Sequence, residues 1–175
     1  MVIDDLPRLL GIRPTLVEGD EHLLVRRVRL RIHLHDGLDK KAGIYKPGRG
    51  YFKNPTRTDL EKAAQGDSIM FDGEKATGTF MYVLDTDGHI VFGARRNPYN
   101  SNGRSPHPTL IGGKNPVVQA AGLMNIEGGR IASFNDQSGH FRPSSKSMDK
   151  VEAALRKLYD KNHNLFSKDF TWRKK

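Results

Sequence analysis

The amino-acid sequence predicts an α+β fold, a twisted, mainly antiparallel sheet with a C-terminal helix packed on one face and an irregular N-terminal segment. Three patterns carry that expectation. Aliphatic and cationic residues alternate through Leu24–His35, a Thr86-Asp87-Gly88 turn joins two strand-like runs, and an apolar stripe at helical spacing starts at Met148.

Residues 1–22 hold Pro7, Gly11, Pro14 and Gly19 and read as an irregular leader. In the next segment Val28, Leu30, Ile32 and Leu34 alternate with Arg27, Arg29, Arg31, His33 and His35. Period-2 alternation puts the aliphatics on one sheet face and the cations on the other. Arg29 and Arg31 then form either a phosphate-binding face or an ordinary solvated one. Residues 37–57 carry four Gly and two Pro and read as a long loop. Tyr45, Tyr51 and Phe52 lie there among Lys46, Arg49 and Lys53, a pattern suited to stacking bases or to anchoring the loop on the core.

Thr58-Asp59-Leu60-Glu61 matches a capping box, with Gly66 closing a short helix over 59–65. A hairpin follows, Thr79 to Asp85 and His89 to Ala94. Residues 95–108 read as a loop, and 117–126 as an irregular strand that Glu127-Gly128-Gly129 turns back into Arg130–Asn135. Ser147 is read as the cap of a helix from Met148 to about Asn162, with Met148, Val151, Ala154, Leu155 and Leu158 as its buried stripe.

At 175 residues the chain suits one domain, here 23–175 with a core unit at about 79–162. A net charge of +9 favours polyanionic partners, nucleic acid first, then an acidic protein or an anionic membrane. The absence of cysteine excludes disulfides, zinc-thiolate sites, iron–sulfur clusters and thiol nucleophiles, and with them the zinc-dependent base deaminases. No apolar run approaches the length of a membrane span, and the first residues lack a signal-peptide pattern.

Residues 107–143 concentrate the groups able to do chemistry. His107 sits between Pro106 and Pro108, which fix the local backbone, and precedes Gly112-Gly113-Lys114. Gly113 and Lys114 can offer a backbone N–H and an ammonium to an anion, or form a plain turn; the spacing is not that of a Walker A loop. His140 follows Ser138-Gly139 and precedes Phe141-Arg142-Pro143. Two histidines can serve as general base and general acid near neutral pH, with Arg142 holding developing charge. The alternative for His140 is a structural hydrogen-bonder at a strand end. Neither a Gly-x-Ser-x-Gly elbow nor an HExxH or EF-hand motif is present, so no metal ligand set is expected.

The pieces His107-Pro-Thr-Leu-Ile-Gly-Gly, Ala120-Ala121-Gly122, Gly128-Gly129-Arg130-Ile131 and Ser138-Gly139-His140-Phe141-Arg142-Pro143 resemble a module of bacterial polymorphic toxins and secreted effectors. The module is also similar to one in plant IQ-motif calmodulin-binding proteins. Its pattern runs roughly His-Ser-x-Leu/Phe-x-Gly-Gly, Ala-Ala-Gly-Glu/Arg and Ser-Gly-His-Tyr-x-Pro. This chain matches at His107, Gly113, Ala121, Gly122, Ser138, Gly139, His140 and Pro143, and departs at Pro108, Leu123 and Phe141. Phe141 in place of Tyr removes a phenol from the pattern. No IQ motif is evident.

The expected function is that of a toxin or effector, secreted or delivered into a target-cell cytoplasm, which cleaves RNA by metal-independent acid/base chemistry. His107 and His140 would be its acid/base partners, with Arg142, Lys114 and Arg96 on phosphate. One alternative is an ADP-ribosyltransferase-like toxin with NAD as cofactor, although no Arg…Ser-Thr-Ser…Glu-x-Glu pattern is evident. The other is a non-enzymatic basic domain that docks an acidic partner such as an immunity protein.

Overall fold

A computed structural model describes residues 30–31, 37–96 and 103–173. The leader at 1–22, Arg29 and most of the alternating segment at 24–35 lie outside the described residues. In chain order the elements are β1 (Leu30–Arg31), α1 (Gly37–Lys41), β2 (Tyr45–Lys46), β3 (Gly50–Tyr51), β4 (Thr58–Asp59), α2 (Leu60–Ala63), β5 (Ala64–Gln65), β6 (Ser68–Phe71) and β7 (Glu74–Lys75). They continue with β8 (Gly78–Leu84), β9 (Ile90–Gly93), a 3-10 turn (His107–Leu110), β10 (Val117–Val118), β11 (Ala120–Glu127), β12 (Arg130–Phe134), α3 (Ser145–Lys161) and a second 3-10 turn (His163–Leu165).

The fold is α+β. Its centre is a five-stranded antiparallel sheet in the order β12-β11-β8-β9-β4. The hairpin read from Thr86-Asp87-Gly88 is β8–β9, where the Asp85 carboxylate accepts from the N–H groups of Asp87 and His89. Glu127-Gly128-Gly129 turns β11 into β12, with both glycines in the left-handed region.

Burial along β8 alternates between two cores. Phe80, Tyr82 and Leu84 join Phe92, Met124 and Ile126 under α3, whose Met148, Val151, Leu155 and Leu158 supply the helix side. Met81 and Val83 face the other way and join Val91, Leu110, Val118, Ala121 and Phe141. Both faces of the central strand are therefore covered, which explains its nearly unbroken apolar run. Each fully buried aliphatic or aromatic side chain contributes roughly 1.5–3 kcal/mol.

Three local expectations change. Residues 37–57 are not a plain loop: they fold into α1 and the β2–β3 hairpin, with Ile44 and Tyr51 buried beneath. The cap of α2 is Asp59, whose carboxylate accepts from the N–H groups of Glu61 and Lys62, while the Thr58 hydroxyl donates to the Thr56 carbonyl. The cap of α3 is Ser144, not Ser147; Ser147 is the third helical residue, and the two serines form a reciprocal capping box. A serine can serve at either of those positions, so the local sequence alone permits both.

Candidate active site

The second core positions the site. Leu110, at the end of the first 3-10 turn, and Phe141, in the turn after β12, pack with Ala121 of β11 on the face opposite α3. His107 and His140 are therefore carried by two segments anchored on the same patch of sheet. Asn54 holds the 3-10 turn from the other side: its N–H donates to the Thr109 carbonyl, its side-chain amide donates to the Ala94 carbonyl, and Arg57 Nε donates to the Leu110 carbonyl.

His107 is buried, and its Nε2 lies 2.8 Å from the Gly122 carbonyl oxygen. A carbonyl only accepts, so Nε2 carries the proton and Nδ1 holds the lone pair. Burial pushes the His107 pKa down to about 4, against a raising contribution from the Gly122 hydrogen bond. Positive charge at His140 or Arg95 pushes it the same way as burial. At neutral pH His107 is an uncharged imidazole. An acid/base role shared with His140, as expected from the sequence, would have to be played from this buried, uncharged form.

His140 has a different setting. Its Nε2 lies 2.9 Å from Oδ2 of Asp39, and the same Oδ2 accepts from the Tyr51 hydroxyl at 2.7 Å. Asp39 and Tyr51 are almost fully buried, and His140 is partly exposed. In the neutral ring, a carboxylate that takes a hydrogen bond from Nε2 fixes the tautomer and puts the lone pair on Nδ1. The arrangement can therefore do what a positioned general base does, with the Tyr51 hydroxyl holding the carboxylate in place.

Tyr51 in turn is fixed by a backbone crossing. Its N–H and C=O exchange hydrogen bonds with the C=O and N–H of Gly113, at 2.9 and 3.0 Å. Gly50 beside it, at φ +86°, sits so close that a Cβ would lie 2.2 Å from the Gly113 carbonyl carbon. Only glycine fits that crossing.

The remaining candidates divide. The N–H of Gly113 is used by Tyr51 and that of Gly112 by the Pro108 carbonyl, so neither is left to cradle an anion as the sequence allowed. Lys114 is exposed beside them. Ser138 is buried and closes the turn: its hydroxyl accepts from the Phe141 N–H and its carbonyl from the Arg142 N–H. Arg142 is exposed, two residues from His140, at φ +46°. Arg96 is exposed and pairs through its backbone with Arg104, with no described contact to the histidines. Arg31 lies on β1, which pairs with β10 rather than with the central sheet.

Phe141 is fully buried in the second core. Asp85, Asp87 and His89 offer ligand atoms within 4.8 Å of one another, but Asp85 is engaged in holding its hairpin turn.

Asp39 was not among the residues expected to act, and Tyr51 was expected only to stack bases or anchor its loop. One signal was present. Asp39 is the single acidic residue between Gly37 and Asn54, among Lys40, Lys41, Lys46, Arg49 and Lys53, and it is buried while all five cations are exposed. A lone acid buried beneath exposed cations must answer a partner elsewhere in the fold.

Comparison with models of known protein families, with curated proteins and with solved structures returned no match to this chain.

Proposed function

We propose that this is a toxin or secreted-effector domain that cleaves RNA, with His140 as its general base. The observation that carries the reading is the Asp39–His140 pair, since a carboxylate on Nε2 leaves a bare Nδ1 at a partly exposed position. The chain's net charge of +9 suits a phosphate-bearing substrate, and RNA supplies its own nucleophile beside each phosphate. The 2′-hydroxyl proton passes to Nδ1 of His140, O2′ bonds to phosphorus and the bond to O5′ breaks. The departing oxygen takes a proton from water, leaving a 2′,3′-cyclic phosphate and a 5′-hydroxyl. Arg142, exposed and two residues from His140, would offset charge on the phosphoryl oxygens. His107 ties the 3-10 turn to β11 as a neutral imidazole and shapes the wall of the site.

The test is incubation of labelled RNA with purified protein in chelator, beside a folded His140→Ala variant. Cyclic-phosphate ends formed by wild type alone are expected. Equal cleavage by both proteins overturns the reading. Release of nicotinamide from NAD without RNA cleavage transfers the site to the ADP-ribosyltransferase alternative. A tight complex with an acidic protein and no turnover transfers it to the binding alternative.

A further inference from the structure

We infer that Lys40, Lys46, Arg49, Lys53 and Lys114 form a continuous rail for the backbone of single-stranded RNA, leading to His140. The inference rests on the RNA reading of the site. Its basis is the adjacency of five exposed cations that come from separate places in the chain. Lys40 Nζ stands 5.9 Å from the centre of the Tyr45 ring, and Tyr45 precedes Lys46. Lys46 pairs in register with Gly50, and its carbonyl accepts from the Arg49 N–H. Gly50 crosses directly over the Gly113–Lys114 peptide, where a Cβ would lie 2.4 Å from the Lys114 nitrogen. Lys53 lies against Gly112, at which a Cβ would meet the Lys53 Cβ at 3.4 Å.

None of the five is ion-paired with a described residue. Asp39, the one acid of the same segment, is turned inward to His140. The buried side of residues 37–53 thus holds the carboxylate that orients His140, and the exposed side carries positive charge. A polyanion seated on those cations is brought to the imidazole by the same piece of chain. In-line attack by a 2′-hydroxyl requires a nucleotide free to rotate out of duplex geometry, so the strand is single.

Binding of a fluorescent 2′-O-methyl RNA of about 12 nucleotides, within the range of single-strand site sizes, measures the rail with wild-type protein, because that probe cannot be cleaved. Neutralising five phosphates gives a slope of log K against log salt of about −3.5, at about 0.7 per contact on a single strand. Lys46→Gln/Arg49→Gln should lower the slope by about 1.4, which amounts to about 25-fold weaker binding near 0.1 M salt. KM for cleavable RNA should rise with it while kcat holds. Lys157→Gln/Lys168→Gln removes the same charge from α3 and beyond, and should leave both quantities near wild type.

An equal loss in that control overturns the rail, as does unchanged binding by the Lys46/Arg49 variant. Displacement of the RNA by polyglutamate of similar length, or binding to phosphatidylserine vesicles that the Lys46/Arg49 variant alone loses, assigns the surface to another partner and also overturns it. RNA cleavage with unchanged KM in the variant sinks the rail and leaves the catalytic reading intact. A lost salt slope in a protein that cleaves no RNA sinks the catalytic reading and leaves the rail.

Discussion

Asp39 and His140 are 101 residues apart in the chain and 2.9 Å apart in the fold, joined by a hydrogen bond from Nε2 to Oδ2. On the proposed RNA-cleaving reading, that contact decides which ring nitrogen is left for the 2′-hydroxyl proton. In an Asp39→Asn variant the amide can present either N–H or C=O to the ring, so the tautomer is no longer enforced. RNA cleavage should fall by on the order of 10²–10⁴-fold, the usual contribution of a positioned acid or base. Steady-state kcat beside a thermal melt checks this; wild-type activity in the folded variant would remove Asp39 from the mechanism.

His107 should make the protein acid-sensitive in a defined window. Its pKa is about 4 in the fold against 6.5 for the free side chain. Above pH 6.5 both states are neutral at this position and its contribution is complete. Between 6.5 and 4 the unfolded chain takes the proton first, so stability falls with pH, by about 3 kcal/mol in all at 1.36 kcal/mol per unit. Urea midpoints of wild type and His107→Asn at pH 7 and pH 4.5 measure the difference. The variant should lose less than wild type on acidification.

The crossing of β3 and Gly113 should tolerate no side chain. Gly50→Ala places a methyl group 2.2 Å from the Gly113 carbonyl carbon at a φ of +86°. Relief requires the two backbones to part, which moves Tyr51 and with it Asp39. Activity should be lost even in molecules that remain folded, as a one-ångström misplacement costs about 10²-fold. Circular dichroism and cleavage assays on the same sample separate the two effects.

Gly122→Ala should act on stability. A Cβ there would lie 1.8 Å from the Asn135 carbonyl oxygen and 2.9 Å from the Tyr82 ring. The Tyr82 hydroxyl donates to that same carbonyl at 2.7 Å, so the oxygen has little freedom to withdraw. Overpacking of this kind costs about 1–3 kcal/mol, readable as a lowered urea midpoint.

Arg142 should trade stability against function. It holds a left-handed φ of +46° while exposed, a conformation glycine adopts without the Cβ penalty. Arg142→Gly should leave the protein within about 1 kcal/mol of wild type and still slow RNA cleavage. Unimpaired cleavage would free Arg142 from contact with the phosphate.

The amino-acid sequence by itself determined the antiparallel hairpins and the C-terminal helix, because each of these is a local matter. Turn chemistry at Asp87-Gly88 and Gly128-Gly129, and the stripe from Met148 to Leu158, need no distant partner to be read. Only the tertiary structure decided the chemistry of the site. The carboxylate on His140 comes from α1, the Tyr51 hydroxyl from β3, and the burial that keeps His107 neutral from the packing of its turn on β11. A proton's location depends on which groups lie within a few ångströms and on how much water is excluded. Neither quantity is written in residues that are neighbours only along the chain.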